Sequence, residues 1–321
     1  MNDFFSWINS GTTEQKNKKR TTAYALAIVS VLLVISLIAL AAIGIVTSIR
    51  SKNASEEPEE TVDPYKGYTT TTFAEGQLYS GDLIWTDDTY VYAGSNALEL
   101  LNDTRPKAED GKTPLYTILG WTTLSVTHDT AEAFHKMFND FYAQNANAAS
   151  DLIVSNAANG SGNANVYGNG LTVELKYYEY WNSNSDNKVS TIANAEAYKW
   201  IYENAYKYGF VQLYSAPEAV TEEGAEAAAD NTHIFRYVGA VHAQLMKDKN
   251  CATLADYLEL LETKTTYKTH LRVTIDKVSY EVYYLPADGE MLVPEKYLDS
   301  YTVSGNNMDG YIITVCTTTS K

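Results

Sequence analysis

Histidine and cysteine, the side chains that most often mark a zinc or thiol site, number five and two among 321 residues. His128 and His135 stand seven apart, on one helical face if a helix starts that early, but no third ligand accompanies them. Core or surface packing accounts for both more simply. His242 reads as structural. No G-x-S-x-G, H-E-x-x-H, P-loop or C-x-x-C pattern occurs, so none of those chemistries is signalled. Cys251 and Cys316 can pair in an oxidising exterior or remain free, and two cysteines do not make a disulfide framework. The 26 tyrosines suit stacking on sugars or peptides, yet tyrosine is also ordinary strand filling.

The elements that would position any site can be read from periodicity. Phe134, Met137, Phe138 and Phe141 recur at helical spacing within Ala131 to Tyr142. Leu152–Val154 and Leu171–Tyr178 read as strands, separated by an Asn-, Ala-, Gly- and Ser-rich loop. Ala193 to Tyr208 is expected to be one helix, with Gly209 placed for a left-handed C-terminal cap. Phe210 to Leu213 and Phe235 to Gly239 read as strands, Val241–Met246 and Leu254–Leu261 as helices. Gly76 to Ala93, with short apolar runs between Gly-Asp and Asp-Asp turns, suggests a hairpin. From Leu271 to Val315 the chain is β-rich, with Tyr280, Val282 and Tyr284 alternating against Glu281 and Tyr283. Helices and strands followed by a β appendage make an α+β plan.

Upstream, the 27 residues from Ala23 to Ile49 carry no charge. A bilayer core needs roughly 20 helical residues, so this run predicts a transmembrane helix over 22–49, the alternative being a cleaved secretory signal. Lys16, Lys18, Lys19 and Arg20 precede it, and an acidic stretch from Glu56 follows. The charge bias places residues 1–21 in the cytoplasm and the rest outside. Residues 50–75 read as a linker. Residues 1–50 carry a net +3 within an overall charge of −16, which leaves −19 on the remainder. Such an acidic exterior argues against nucleic acid and against adhesion to anionic lipid.

Five ordered segments add a resemblance: Glu196–Phe210 (EAYKWIYENAYKYGF), Phe235–Gly239 (FRYVG), Val241–Ala243 (VHA), Thr253–Leu258 (TLADYL) and Val303–Val315 (VSGNNMDGYIITV). With Gly81–Trp85 (GDLIW), they resemble the VanY-type D-alanyl-D-alanine carboxypeptidases, zinc metallopeptidases of the cell wall. The resemblance spans roughly residues 76–321. It implies a VanY/hedgehog-like α+β core over 76–265 and a small β-rich extension over 266–321. In that family a His and an Asp of S-x-H-x-x-G-x-A-x-D and a later His hold zinc. A Glu in E-P-W-H-x-R is the general base, and an upstream Arg takes the substrate carboxylate. Three N or O ligands leave a fourth position for water, which the carboxylate deprotonates.

The carry-over is incomplete. In Asn165–Glu174, Gly170 and Leu171 match, but Asn165 replaces the Ser, Tyr167 the ligand His and Glu174 the ligand Asp. A phenol with a pKa near 10 is a poor zinc ligand. Aligned on Arg236 without a gap, the later His position holds Ile234; one inserted residue restores an acid-x-x-His spacing through Asp230 and His233. Ala158 stands where the carboxylate-binding Arg belongs. The resulting expectation is a membrane-anchored, catalytically degenerate domain that binds peptidoglycan peptides or an envelope protein through a cleft near Tyr167, Glu174, His233 and Arg236, with no cofactor. The alternative is an active zinc carboxypeptidase with Glu174 and His233 as ligands, Asp230 as base, and Tyr167 as ligand or proton donor.

Overall fold

The phenylalanine periodicity sets the first half of the molecule. A computed structural model describes Thr12 and residues 63–318, apart from interior stretches of which the longest are 180–187 and 215–232. The expected cytoplasmic tail, the expected membrane helix over 22–49 and most of the linker lie outside the described residues, as does Asp230. Among the described residues no helix is long and apolar enough to cross a membrane. From Tyr65 onward the chain forms one unit.

That unit opens with strand β1 (Tyr68–Thr70), inside the stretch read as linker, followed by β2 (Leu98–Leu100), β3 (Thr117–Ile118) and β4 (Ser125–Thr127). Helix α1 (His128–Gln144) starts where the Thr127 hydroxyl accepts the Thr130 N–H. Its Ala131, Phe134, Met137, Phe138 and Phe141 are fully buried. After α2 (Ala146–Asp151) come β5 (Leu152–Asn156), the short α3 (Ala164–Tyr167), β6 (Thr172–Glu179), β7 (Lys188–Thr191), α4 (Lys199–Asn204), β8 (Phe210–Gln212) and β9 (Ile234–Tyr237). The strands form a sheet in the order β3-β5-β6-β9-β8, with β7 on β6; only β3 and β5 run parallel. Leu152, Val154, Val173, Leu175 and Phe235 join the α1 phenylalanines in one core. Period-two alternation then leaves Thr172, Glu174 and Lys176 on the opposite face of β6.

A second core lies between helices α5 (Ala240–Lys249) and α6 (Leu254–Lys264) and the C-terminal strands. These are β10 (Leu271–Ile275), β11 (Val278–Pro286), β12 (Leu292–Pro294), β13 (Tyr301–Gly305) and β14 (Gly310–Cys316). They pair antiparallel as β10-β11-β14-β13, while β12 takes β1 as its partner. The alternation read along β11 holds: Val282 and Tyr284 enter this core, whereas Tyr283 and Leu285 enter a smaller cluster on the other face. His242 is structural, bridging Tyr257 Oη and the Thr314 hydroxyl at 3.0 Å each. Cys251 and Cys316 are free.

Two local expectations differ from the structure. The hairpin over Gly76 to Ala93 is instead a 3-10 turn at Gln77–Tyr79, a second turn at Asp82 and Leu83, and irregular chain through Trp85. Leu83 and Ile84 are both completely buried, so the run lacks the exposed face of a surface hairpin. Their segment bonds to the C-terminal sheet: Leu83 N–H to Ser304 Oγ at 2.9 Å and Trp85 N–H to the Asn306 carbonyl at 3.0 Å. The helix over Ala193 to Tyr208 is broken into a 3-10 turn at Glu196–Tyr198, α4, and a 3-10 turn at Ala205–Tyr208. At the second break the Asn204 amide donates to the Trp200 carbonyl, a side-chain competitor for the helical ladder. Gly209 does end the run at φ +87°.

Truncating Phe138, which touches the rings of Tyr116, Phe134 and Phe141, removes the centre of the first core. Phe138→Ala is expected to cost about 3–5 kcal/mol in urea unfolding; a loss within 1 kcal/mol of zero would show that α1 is not held by this face.

Candidate functional site

Gly170 starts the site. It turns the chain into β6 at φ +73°, and its carbonyl accepts the Thr127 N–H at 2.9 Å. A Cβ there would lie 3.1 Å from that same nitrogen and collide with Leu98. Just before it, α3 is capped by Asn163, whose side chain accepts the Asn165 N–H at 2.9 Å. This short helix buries Tyr167 beside the first residues of β6.

Glu174 and His233 come together. His233 lies one residue ahead of β9, outside the ladder, so its side chain is not committed to a sheet face. Its carbonyl accepts the Leu175 N–H at 3.1 Å, and its Nε2 meets Glu174 Oε1 at 2.8 Å. The one-residue offset is thus absorbed at the strand end. His233 Nδ1 is buried and has no hydrogen-bond partner among the described residues.

A third group completes the cluster, and the sequence reading did not single it out. Lys176, two residues along the same strand, places Nζ 2.9 Å from the same Glu174 oxygen. Burial pushes the Glu174 carboxyl up, but hydrogen bonds from His233 and Lys176, with their charges, pull it down to about 2. Tyr167 moves the other way: burial first, then the nearness of Glu174 and Tyr214, raises its phenol well above 10. Tyr167 is therefore neutral at any physiological pH.

Arg236, on β9 opposite Thr172, is fully buried beneath this face. Its guanidinium donates to the Ile84 carbonyl at 2.7 Å, the Tyr237 carbonyl at 3.2 Å and the Asp82 carbonyl at 3.5 Å. Its donors are thus turned to main-chain oxygens. Burial lowers the guanidinium to about 10, with Asp82 opposing. Burial and the charge of Asp129 raise the Asp82 carboxyl to about 6, against the pull of Arg236. Arg236 also lines a cavity of about 320 Å³, together with Ile84, Trp85, Asp87, Asn165, Val166, Leu213, Tyr214 and Leu254. Its wall is largely apolar, with Trp85 Nε1 donating to Asp87 Oδ2 at 3.0 Å. The cavity and the Glu174 cluster are joined through Tyr214, which lines the former and lies close to Tyr167 in the latter.

The donor set does not suit zinc. A zinc site needs three N, O or S ligands with lone pairs to give. Here the Glu174 oxygen that meets His233 also carries the Lys176 ammonium, and the third position is a neutral phenol. Among the described residues no three His, Cys, Asp or Glu side chains converge on a point. Ala158, which the sequence reading aligned with the family's carboxylate-binding Arg, is buried in a two-way main-chain bridge with Ser125.

The Asp82 shift has a measurable consequence. Its pKa is raised in the folded chain, so the stability it contributes is full below about 4 and is lost as pH rises through about 6. Unfolding free energy is expected to fall across that window, and Asp82→Asn is expected to remove that part of the slope. Parallel slopes in the two proteins would exclude Asp82 as its source.

No profile of a known protein family matches the sequence. A D-alanyl-D-alanine carboxypeptidase of Enterococcus faecium is 29% identical over 252 residues, covering 76% of this chain and 78% of that protein. Among solved structures, the vancomycin-resistance D,D-dipeptidase VanXYg, in complex with a D-Ala-D-Ala phosphinate analogue, aligns with a TM-score of 0.54 and 18% identity. The match covers 78% of this chain and 99% of that one, and it establishes the shared fold. The D,D-pentapeptidase VanY of a VanB-type cassette, in complex with Zn(II), aligns with a TM-score of 0.32 and 15% identity, covering 55% of this chain and 98% of that one. The chain is a divergent relative of the VanY-type D-alanyl-D-alanine carboxypeptidases.

Proposed function

We propose that this chain is a catalytically degenerate carboxypeptidase-type domain that binds peptidoglycan stem peptides at the outer face of the membrane without cleaving them. The observation that carries the reading is the Glu174 carboxylate, satisfied by the Lys176 ammonium and His233 with a neutral phenol as the remaining neighbour. A water held there would have neither a Lewis acid to lower its pKa nor a free carboxylate beside it to take its proton. The Enterococcus relative and the D-Ala-D-Ala analogue held by the VanXYg structure support the ligand class. The apolar cavity beside the cluster supports binding, since such concave sites with a few polar groups are where small ligands settle. The uncharged stretch over 22–49 supports anchoring, and the net charge of −19 that follows it supports a wall or envelope partner over nucleic acid. An envelope protein remains the alternative occupant.

A second reading has one observation in its favour: Glu174 and His233, the two candidate ligands, lie side by side. An active enzyme would use them with Asp230 as base. Incubating the full chain with a pentapeptide ending in D-Ala-D-Ala separates the two. The expected result is saturable binding by calorimetry, weakened at least about tenfold by Trp85→Ala, with no D-Ala released. Release of D-Ala together with about one equivalent of tightly held zinc would overturn the proposal. Protease added to intact cells is expected to degrade the domain; full protection would remove the anchoring part.

A further inference from the structure

We propose that Lys176 is a built-in cation that takes the place of a metal ion at Glu174, holding the Glu174–His233 pair together and excluding zinc from it. The inference rests on reading this cluster as the counterpart of the family's metal centre, and it adds how the centre is kept assembled.

The geometry is specific. One oxygen, Glu174 Oε1, meets both Lys176 Nζ at 2.9 Å and His233 Nε2 at 2.8 Å. Lys176 reaches it because residues two apart on a strand project from the same face. The position is enclosed, with 14% of the Glu174 side chain and 4% of the His233 side chain exposed, while Lys176 at 30% sits at the rim. A carboxylate in such a place needs a compensating positive charge, because an unpaired buried charge is strongly unfavourable. A divalent ion meets that need in a metallopeptidase. A lysine meets it here from within the chain, as a compact point charge on a flexible stem. The same ammonium repels any second cation that approaches the shared oxygen, with little solvent to screen it. Tyr167 then needs no lone pair for a metal, which fits a buried phenol at the position of the lost histidine.

Four versions of the full chain test this: wild type, Lys176→Met, Lys176→Arg, and Lys176→Met combined with Tyr167→His. Zinc affinity is read by competition with a chromophoric chelator, and melting temperature is measured with added zinc and with EDTA. The wild-type melting temperature is expected to stay the same with zinc or EDTA. Lys176→Met is expected to melt several degrees lower, and Lys176→Arg, which keeps the cation, to recover most of the loss. The double variant is expected to hold about one equivalent of zinc at least about 100-fold more tightly than wild type, and to be stabilised by it. Lys176→Met melting like wild type would overturn the supporting role while leaving the binding function untouched. A folded double variant with wild-type zinc affinity would overturn the exclusion role. Tight zinc in the wild type accompanied by D-Ala release would instead overturn the degenerate reading itself.

Discussion

The buried guanidinium of Arg236 connects the two halves of the molecule. It lies on the central sheet yet donates into the loop at Asp82 and Ile84, and the same loop is gripped from the far side by Ser304 and Asn306. Leu83 belongs to the core between the helices and the C-terminal sheet, while Phe235, next to Arg236, belongs to the core under the phenylalanine helix. A charge this deeply enclosed is tolerated because main-chain oxygens accept hydrogen bonds from its N–H groups. The cavity wall at Ile84 and Trp85 therefore depends on a contact spanning some 150 residues of sequence. Asp82 carries a carboxyl that burial and Asp129 push up and Arg236 pulls down.

The short helix α3, strand β6 and the residue just ahead of β9 bring Tyr167, Glu174 and His233 to one place. Lys176 adds a cation to the same carboxylate. A carboxylate shared between an ammonium and an imidazole is a filled site, with its pKa driven down by its partners rather than by a metal. The neighbouring cavity combines a largely apolar lining with a few polar groups.

Much of the frame was legible beforehand. The phenylalanine spacing announced α1, the alternation at Tyr280 to Tyr284 announced a two-faced strand, and Gly209 announced a helix end. The segment from Gly81 to Trp85 misled, because the groups that hold it, Ser304, Asn306 and Arg236, lie far away in sequence, and a local pattern cannot report them. The break at Asn204 was equally hidden, since its side chain competes for a carbonyl that the helical period assigns to the backbone.

What the sequence by itself determined is the α+β class, the order of the helical and β-rich stretches, the acidic character and the resemblance to the VanY-type carboxypeptidases. Those are matters of residue type and period, which survive without coordinates. The tertiary structure alone decided that His233 meets Glu174 despite its offset, that Arg236 turns its donors to main-chain oxygens, and that Lys176 stands at the carboxylate. Each of these turns on where a strand stops or which way its face points. Such facts emerge only when segments distant in the chain are packed, because charges pair by distance in space and not by spacing in sequence.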